Sequence, residues 1–145
     1  MTAHLIDGKE FATGLTDKIA ASVSIIKKTY QVTPCLAVVL VGTDPASQVY
    51  VRKKGQETRA AGMISIEHKL PPTASEAQLL ALIDSMNKDE AIDGILVQLP
   101  LPEQINEASV IQAIAPEKDV DGFHVVNTGL LATGHCGLVP CTPQG

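Results

Sequence analysis

Apolar positions in this chain change period several times, and each change predicts an element. Over residues 9–29, Phe11, Leu15, Ile19, Val23 and Ile26 recur three and four apart, which lines one face of a helix. The run Cys35-Leu-Ala-Val-Val-Leu-Val41 has no polar alternation, as expected of a strand buried on both faces. Thr43-Asp44-Pro45 follows. Asp44 can cap a helix and Pro45 suits a first turn, so a helix is predicted from there to Ala61, stopped by Gly62. Residues 63–68 read as a second strand, ended by Pro71-Pro72. Thr73 or Ser75 can cap a third helix, with Leu79, Leu82, Ile83 and Met86 as its core stripe. Gly94-Ile-Leu-Val-Gln98 is a third strand, cut by Pro100 and Pro102. A shorter helix carrying Val110, Ile111 and Ile114 comes next. From Lys118 onward the sequence predicts loops and short segments rich in Gly, Pro and Thr.

Strands separated by helices of this length need crossover connections. The predicted fold is therefore α/β: a three-layer α/β/α sandwich around a small, mainly parallel sheet. At 145 residues, 45% hydrophobic and 19% charged, the chain suits one domain with a real core, over residues 1–145. Repeats and low-complexity tracts are absent from the sequence.

Charge and cysteine content narrow the function. The net charge of −5 comes without a long basic stripe, so nucleic acid is not an expected partner. The longest apolar run is far short of a membrane span, and the opening MTAHLIDGKEFATG lacks the pattern of a signal peptide. A soluble, cytoplasmic protein without membrane association is expected. Cys35, Cys136 and Cys141 form no even set, which suits a reducing compartment. His135, Cys136 and Cys141 have neither a CxxC pair nor an HExxH helix beside them, so no metal is expected.

In an open parallel sheet, ligands gather beyond the carboxyl ends of the strands. Residues 42–54, the segment Val97-Gln98-Leu99-Pro100 and the loop KDVDGFH (118–124) are expected to converge on that edge. Tyr50 and Lys54, four apart, share a helix face. Tyrosine offers a flat surface with a polar tip, and a lysine deprived of water can give or take a proton near neutrality. Both could equally be decoration on an amphipathic helix. Arg52 and Lys53 should point elsewhere, toward solvent. Gly55, costly inside a helix, hints at close packing. Gln98 ends an apolar strand with both a donor and an acceptor. It can hold a lysine or a heterocycle edge, or simply pair with backbone. The loop holds two carboxylates, Asp119 and Asp121; Asp121-Gly122 can simply be a turn, or a carboxylate here can accept two hydrogen bonds from an amino-pyrimidine. The sequence has no GxGxxG, GxxxxGK[ST] or GxSxG motif, so a general nucleotide-binding domain is disfavoured.

These stretches resemble the methylenetetrahydrofolate dehydrogenase/cyclohydrolase family. VGTDPASQVYVRKKGQETRAAGM (41–63) and DGILVQLPLP (93–102) look like its two signatures. PEKDVDGFHVVNTGLL (116–131) and PCTPQG (140–145) match later motifs in the same order. The resemblance implies that Lys54 is the key catalytic group and that Tyr50 stacks on the folate ring. It further implies that Gln98 contacts Lys54, that Asp121 hydrogen-bonds the pterin, and that backbone near Val97, Leu99 and Pro100 lines the cleft.

It also implies an activity: NADP-dependent oxidation of 5,10-methylene-tetrahydrofolate to the 5,10-methenyl cation, then hydrolysis to 10-formyl-tetrahydrofolate. Tetrahydrofolate derivatives would be the partners, in a homodimer. The NADP-binding Rossmann-like domain of the family would follow residue 145 and is not in this sequence. Dehydrogenase activity is thus expected of a longer parent. The alternative for these residues alone is a folate-binding or subunit-pairing module without dehydrogenase activity.

Overall fold

The computed structural model describes residues 7–141; the first six residues and residues 142–145, most of PCTPQG, lie outside the described residues. Among the described residues there are five helices and three strands, and the first seven of these elements follow the predicted order. They are α1 (Gly8–Tyr30), β1 (Cys35–Val41), α2 (Pro45–Ala60), β2 (Ile64–Leu70), α3 (Glu76–Lys88), β3 (Gly94–Val97), α4 (Glu107–Ala113) and α5 (Val125–Ala132).

The helix starts follow local chemistry. Asp7 accepts the backbone N–H groups of Lys9 and Glu10, Asp44 that of Ser47, and Asn106 that of Ser109. Ser75, not Thr73, caps α3, in a reciprocal box with Gln78. Gly62 takes a left-handed conformation just past α2. The unpredicted element is α5. Its start is fixed by His124, whose ring Nδ1 accepts the Val126 N–H. An eight-residue helix with Gly129 inside gives periodicity little to register.

All three strands are parallel, in the order β2-β1-β3, so the second crossover passes over β1. That places α2 on one face of the sheet and α3 with α4 on the other. Residues Cys35, Ala37, Val39, Val41, Ile95 and Val97 pack against Leu79, Ile83, Met86, Val110 and Ile114. The opposite face holds only Val38, Leu40 and Leu96 against Val51, with Leu36 partly covered. The period-2 alternation of a strand makes this division. β2 runs two residues beyond the expected end, to Leu70, because its pairing with β1 continues to Val41.

Helix α1 forms as predicted but buries little of its stripe. Val23 is 5% exposed, whereas Phe11 is 74% exposed, and Leu15 and Ile19 also face outward. Its carboxyl half is tied down by Lys27, whose Nζ donates to the Gly62 carbonyl at 2.8 Å. No helix among the described residues is long and apolar enough to cross a membrane.

Candidate active site

Three elements build a cleft on the α2 side of the sheet. Leu36 and Leu96 form its apolar floor, α2 supplies Tyr50, Lys53, Lys54, Glu57 and Thr58, and Val120, Asp121 and Cys141 close it from the far side. Its volume is about 470 Å³, within the range of pockets that hold a small organic ligand.

The far wall depends on close backbone approach. The segment after α4 runs beside β3, with a parallel bridge between Ile95 and Asp119 and a 2.7 Å bond from the Ile95 N–H to the Lys118 carbonyl. Gly94 permits this: a Cβ there would lie 2.6 Å from Val120 Cγ1. Gly122, at φ +69, turns the chain back after Asp121. Gly55 is likewise a packing glycine, since a Cβ would meet Ser65 Oγ at 3.3 Å.

At the end of β3, Gln98 reaches across to α2. Lys54 Nζ donates to Gln98 Oε1 at 3.3 Å, and Gln98 Nε2 donates to the Leu99 carbonyl at 2.6 Å. The second bond fixes which end of the amide faces the lysine. Lys54 also lines the cleft. Tyr50, one turn earlier, is 61% exposed, with its ring at the cleft wall.

The two carboxylates of KDVDGFH separate. Asp121 lies in the cleft, where burial raises its pKa; Lys54 pulls it back down and the Asp119 carboxylate adds to the rise. Asp119 turns inward and is 2% exposed. It accepts the His124 N–H at 2.8 Å and Asn127 Nδ2 at 3.0 Å. Helix α2 carries Arg52, Lys53, Lys54 and Arg59 against the single carboxylate of Glu57, in a chain whose net charge is −5. An anionic ligand would find its attraction there.

Tyr50, Lys54 and Asp121 therefore share one cleft, and Gln98 joins them through Lys54. Val97 sits differently: its side chain belongs to the core on the α3 side. Leu99 and Pro100 are not among the residues lining the cleft; Leu99 contributes the carbonyl that orients Gln98. The peptide bond between them is cis.

Two expectations need correction. The cleft is set back from the carboxyl edge of the sheet, over Leu36 near the start of β1, because α2 runs back across the face. Lys53, expected to face solvent only, also lines the cleft. Leu36, Leu96, Val120 and Cys141 were missed; strand alternation would have put Leu36 and Leu96 on one face, but nothing local marks that face as open. Cys136 lines a different depression, beside α5, so it does not join Cys141.

The family model for the tetrahydrofolate dehydrogenase/cyclohydrolase catalytic domain matches residues 6–121. The chain belongs to this family. Among its relatives, Bifunctional protein FolD 1 of Roseobacter denitrificans is 59% identical over 145 residues, 100% of this chain and 48% of that protein. The bifunctional FolD methylenetetrahydrofolate dehydrogenase/cyclohydrolase of Campylobacter jejuni matches in structure with a TM-score of 0.92 at 40% identity. That match covers 95% of this chain and 49% of the other. The Trypanosoma brucei FolD enzyme, solved with NADP and an inhibitor, gives a TM-score of 0.94 at 32% identity over 99% and 50%. The chain spans about half the length of the curated relatives it matches. For a tetrahydrofolate dehydrogenase/cyclohydrolase domain, a cleft with a lysine and a carboxylate over an apolar floor has a definite chemical use.

Proposed function

We propose that this chain is the folate-binding catalytic domain of a bifunctional enzyme. That enzyme oxidises 5,10-methylene-tetrahydrofolate with NADP and hydrolyses the 5,10-methenyl product to 10-formyl-tetrahydrofolate. The observation that carries the reading is the Lys54 amine, held by Gln98 at 3.3 Å and facing the same cleft as Asp121.

In this reading the pterin lies over Leu36 and Leu96 with Tyr50 on its open side. The Asp121 carboxylate accepts two N–H groups from the amino-pyrimidine edge, which favours its ionised form against the burial that raises its pKa. Water then adds to the methenyl carbon. Lys54 relays the protons: it takes one from that water and returns one to N5 as the C–N5 bond breaks, leaving the formyl group on N10. One proton is released overall. Gln98 keeps the lysine in place through both transfers.

The start of α2 does not suit a phosphate of NADP. The turn between β1 and α2 is where a parallel sheet would present a phosphate to a helix start. There the Asp44 carboxylate already accepts the Ser47 N–H at 2.7 Å, and that bond lowers its pKa. A second anion would be repelled. The cleft is therefore assigned to folate and water, and the hydride acceptor to another part of the parent protein. Homodimer pairing and a cytoplasmic location belong to the same reading, and light scattering checks the first.

The test is hydrolysis of 5,10-methenyl-tetrahydrofolate, followed by loss of its absorbance, for the natural sequence and Lys54→Met. A fall of about 10²- to 10⁴-fold is expected for loss of a proton-transfer group, with the circular dichroism spectrum unchanged. Undiminished turnover would remove Lys54 from the chemistry. Folate binding with no turnover by the natural sequence would leave a non-catalytic folate module.

A further inference from the structure

Asp119 is the most buried carboxylate among the described residues, 2% exposed, and the proposed chemistry leaves it unused. Both of its hydrogen bonds end on the same oxygen: the His124 N–H and Asn127 Nδ2 donate to Oδ2, at 2.8 and 3.0 Å. Asn127 Nδ2 also donates to the Pro116 carbonyl at 2.8 Å, and the Gly122 N–H to the Asp119 carbonyl at 3.1 Å. The segment from Pro116 to His124 is thus closed on itself around one carboxylate. Asp121 stands at its outer side, in the cleft.

A neutral asparagine could supply the same acceptor, since one amide oxygen has two lone pairs. Hydrogen bonding therefore explains the oxygen but not the charge. Neither ion pair found among the described residues, Glu67–Lys69 or Asp84–Lys88, involves Asp119. A carboxylate buried without a cation is costly to keep. What the charge can act on is Asp121, two residues away.

We propose that Asp119 is a positioning residue for Asp121: its buried carboxylate anchors the turn that carries Asp121 into the cleft and keeps a second acidic group close to it. The catalytic meaning rests on the folate reading above, although the anchoring does not. The groups facing Asp121 are Lys54 from α2 and Asp119 behind it, with Tyr50, Lys53 and Glu57 of α2 and Cys141 around the same cleft. Burial comes first among the causes that raise the Asp121 pKa, Lys54 opposes it, and Asp119 supports it. Removing the Asp119 charge while keeping its oxygen should let Asp121 ionise at lower pH.

The experiment is a ligand-free pH titration of the 145-residue chain labelled with ¹³C at the aspartate carboxyl groups. The Asp121 resonance is assigned from Asp121→Asn. In Asp119→Asn its midpoint should fall by about half a pH unit or more, the size of effect a nearby charge produces. An unmoved midpoint in a folded Asp119→Asn protein overturns the proposal. Should that variant fail to fold, hydrogen exchange in the natural sequence decides. The His124 N–H should be strongly protected, and exchange at the rate of an open loop overturns the anchor.

Adding 5,10-methenyl-tetrahydrofolate separates this from the folate reading. With folate bound, the acid limb of affinity should move in Asp119→Asn with the Asp121 midpoint. A folate that leaves the Asp121 resonance unchanged sinks the folate reading while the ligand-free shift still stands.

Discussion

The two faces of the sheet use the same three strands for opposite ends. On the α3/α4 face, Cys35, Ala37, Val39, Val41, Ile95 and Val97 meet helices that close over them completely. On the α2 face, Val38, Leu40 and Leu96 meet chiefly Val51, and beyond it Leu36 and Leu96 form the floor of a cleft. The closed face supplies packing energy. The open face leaves apolar surface available for a ring, bordered by Lys54, Gln98 and Asp121. Alternate residues of one strand thus serve stability and binding. This explains how a three-stranded sheet can keep a cleft on one of its faces.

That contrast can be broken most directly from the closed side. Ile83→Ala removes a fully buried side chain of α3 and should cost about 3 kcal/mol through lost burial and the cavity left behind. Leu36→Ala, at the cleft floor, should cost only about 1 kcal/mol because the site is already open to water. It should weaken folate binding more than Ile83→Ala does. Urea unfolding and a folate titration of both variants check the pair; equal stability losses would mean that the two faces are packed alike.

Gly94→Ala attacks the boundary between the faces. The added methyl would collide with Val120, and the strain should cost about 2 kcal/mol. Displacing Val120 also displaces Asp121, so folate affinity should fall along with the melting temperature. Unchanged affinity would detach the β3 contact from the site.

Asp121→Asn should have the smallest effect on stability and the opposite sign. Burial raises the carboxyl pKa, so this group favours folding below the usual carboxylate range, and that contribution is lost as pH rises through the folded pKa. Near neutrality the variant should therefore be slightly more stable, by less than about 1 kcal/mol at a partly solvated site. The gain should vanish on acidification, while folate binding is lost. Chemical denaturation at neutral and acidic pH checks the sign; a destabilised variant at neutral pH would mean that Lys54 outweighs burial.

The local record of the chain was easy to read where a residue acts on its neighbours. Asp44-Pro45 starts α2, Gly62 ends it, and Cys35–Val41 has the composition of a strand covered on both sides. Tyr50 and Lys54 share a helix face because helical spacing alone requires it. The resemblance to the tetrahydrofolate dehydrogenase/cyclohydrolases then joined these residues to Gln98 and Asp121, 44 residues and more along the chain from Lys54.

What no local pattern could supply was which surfaces meet. The stripe of α1 predicted a helix but not how much of that face would be covered. Helix α5 depends on the His124 side chain and on Asn127 reaching Asp119, a contact that periodicity does not register. Asp119 and Asp121 are chemically alike and two residues apart. One is buried with its oxygen on two N–H donors, and the other shares the cleft with a lysine of α2. Spacing and side-chain chemistry are written in the sequence, whereas the direction each group faces is decided by packing between distant segments. Gly94, with no room for even a methyl, is where that packing becomes the far wall of the cleft.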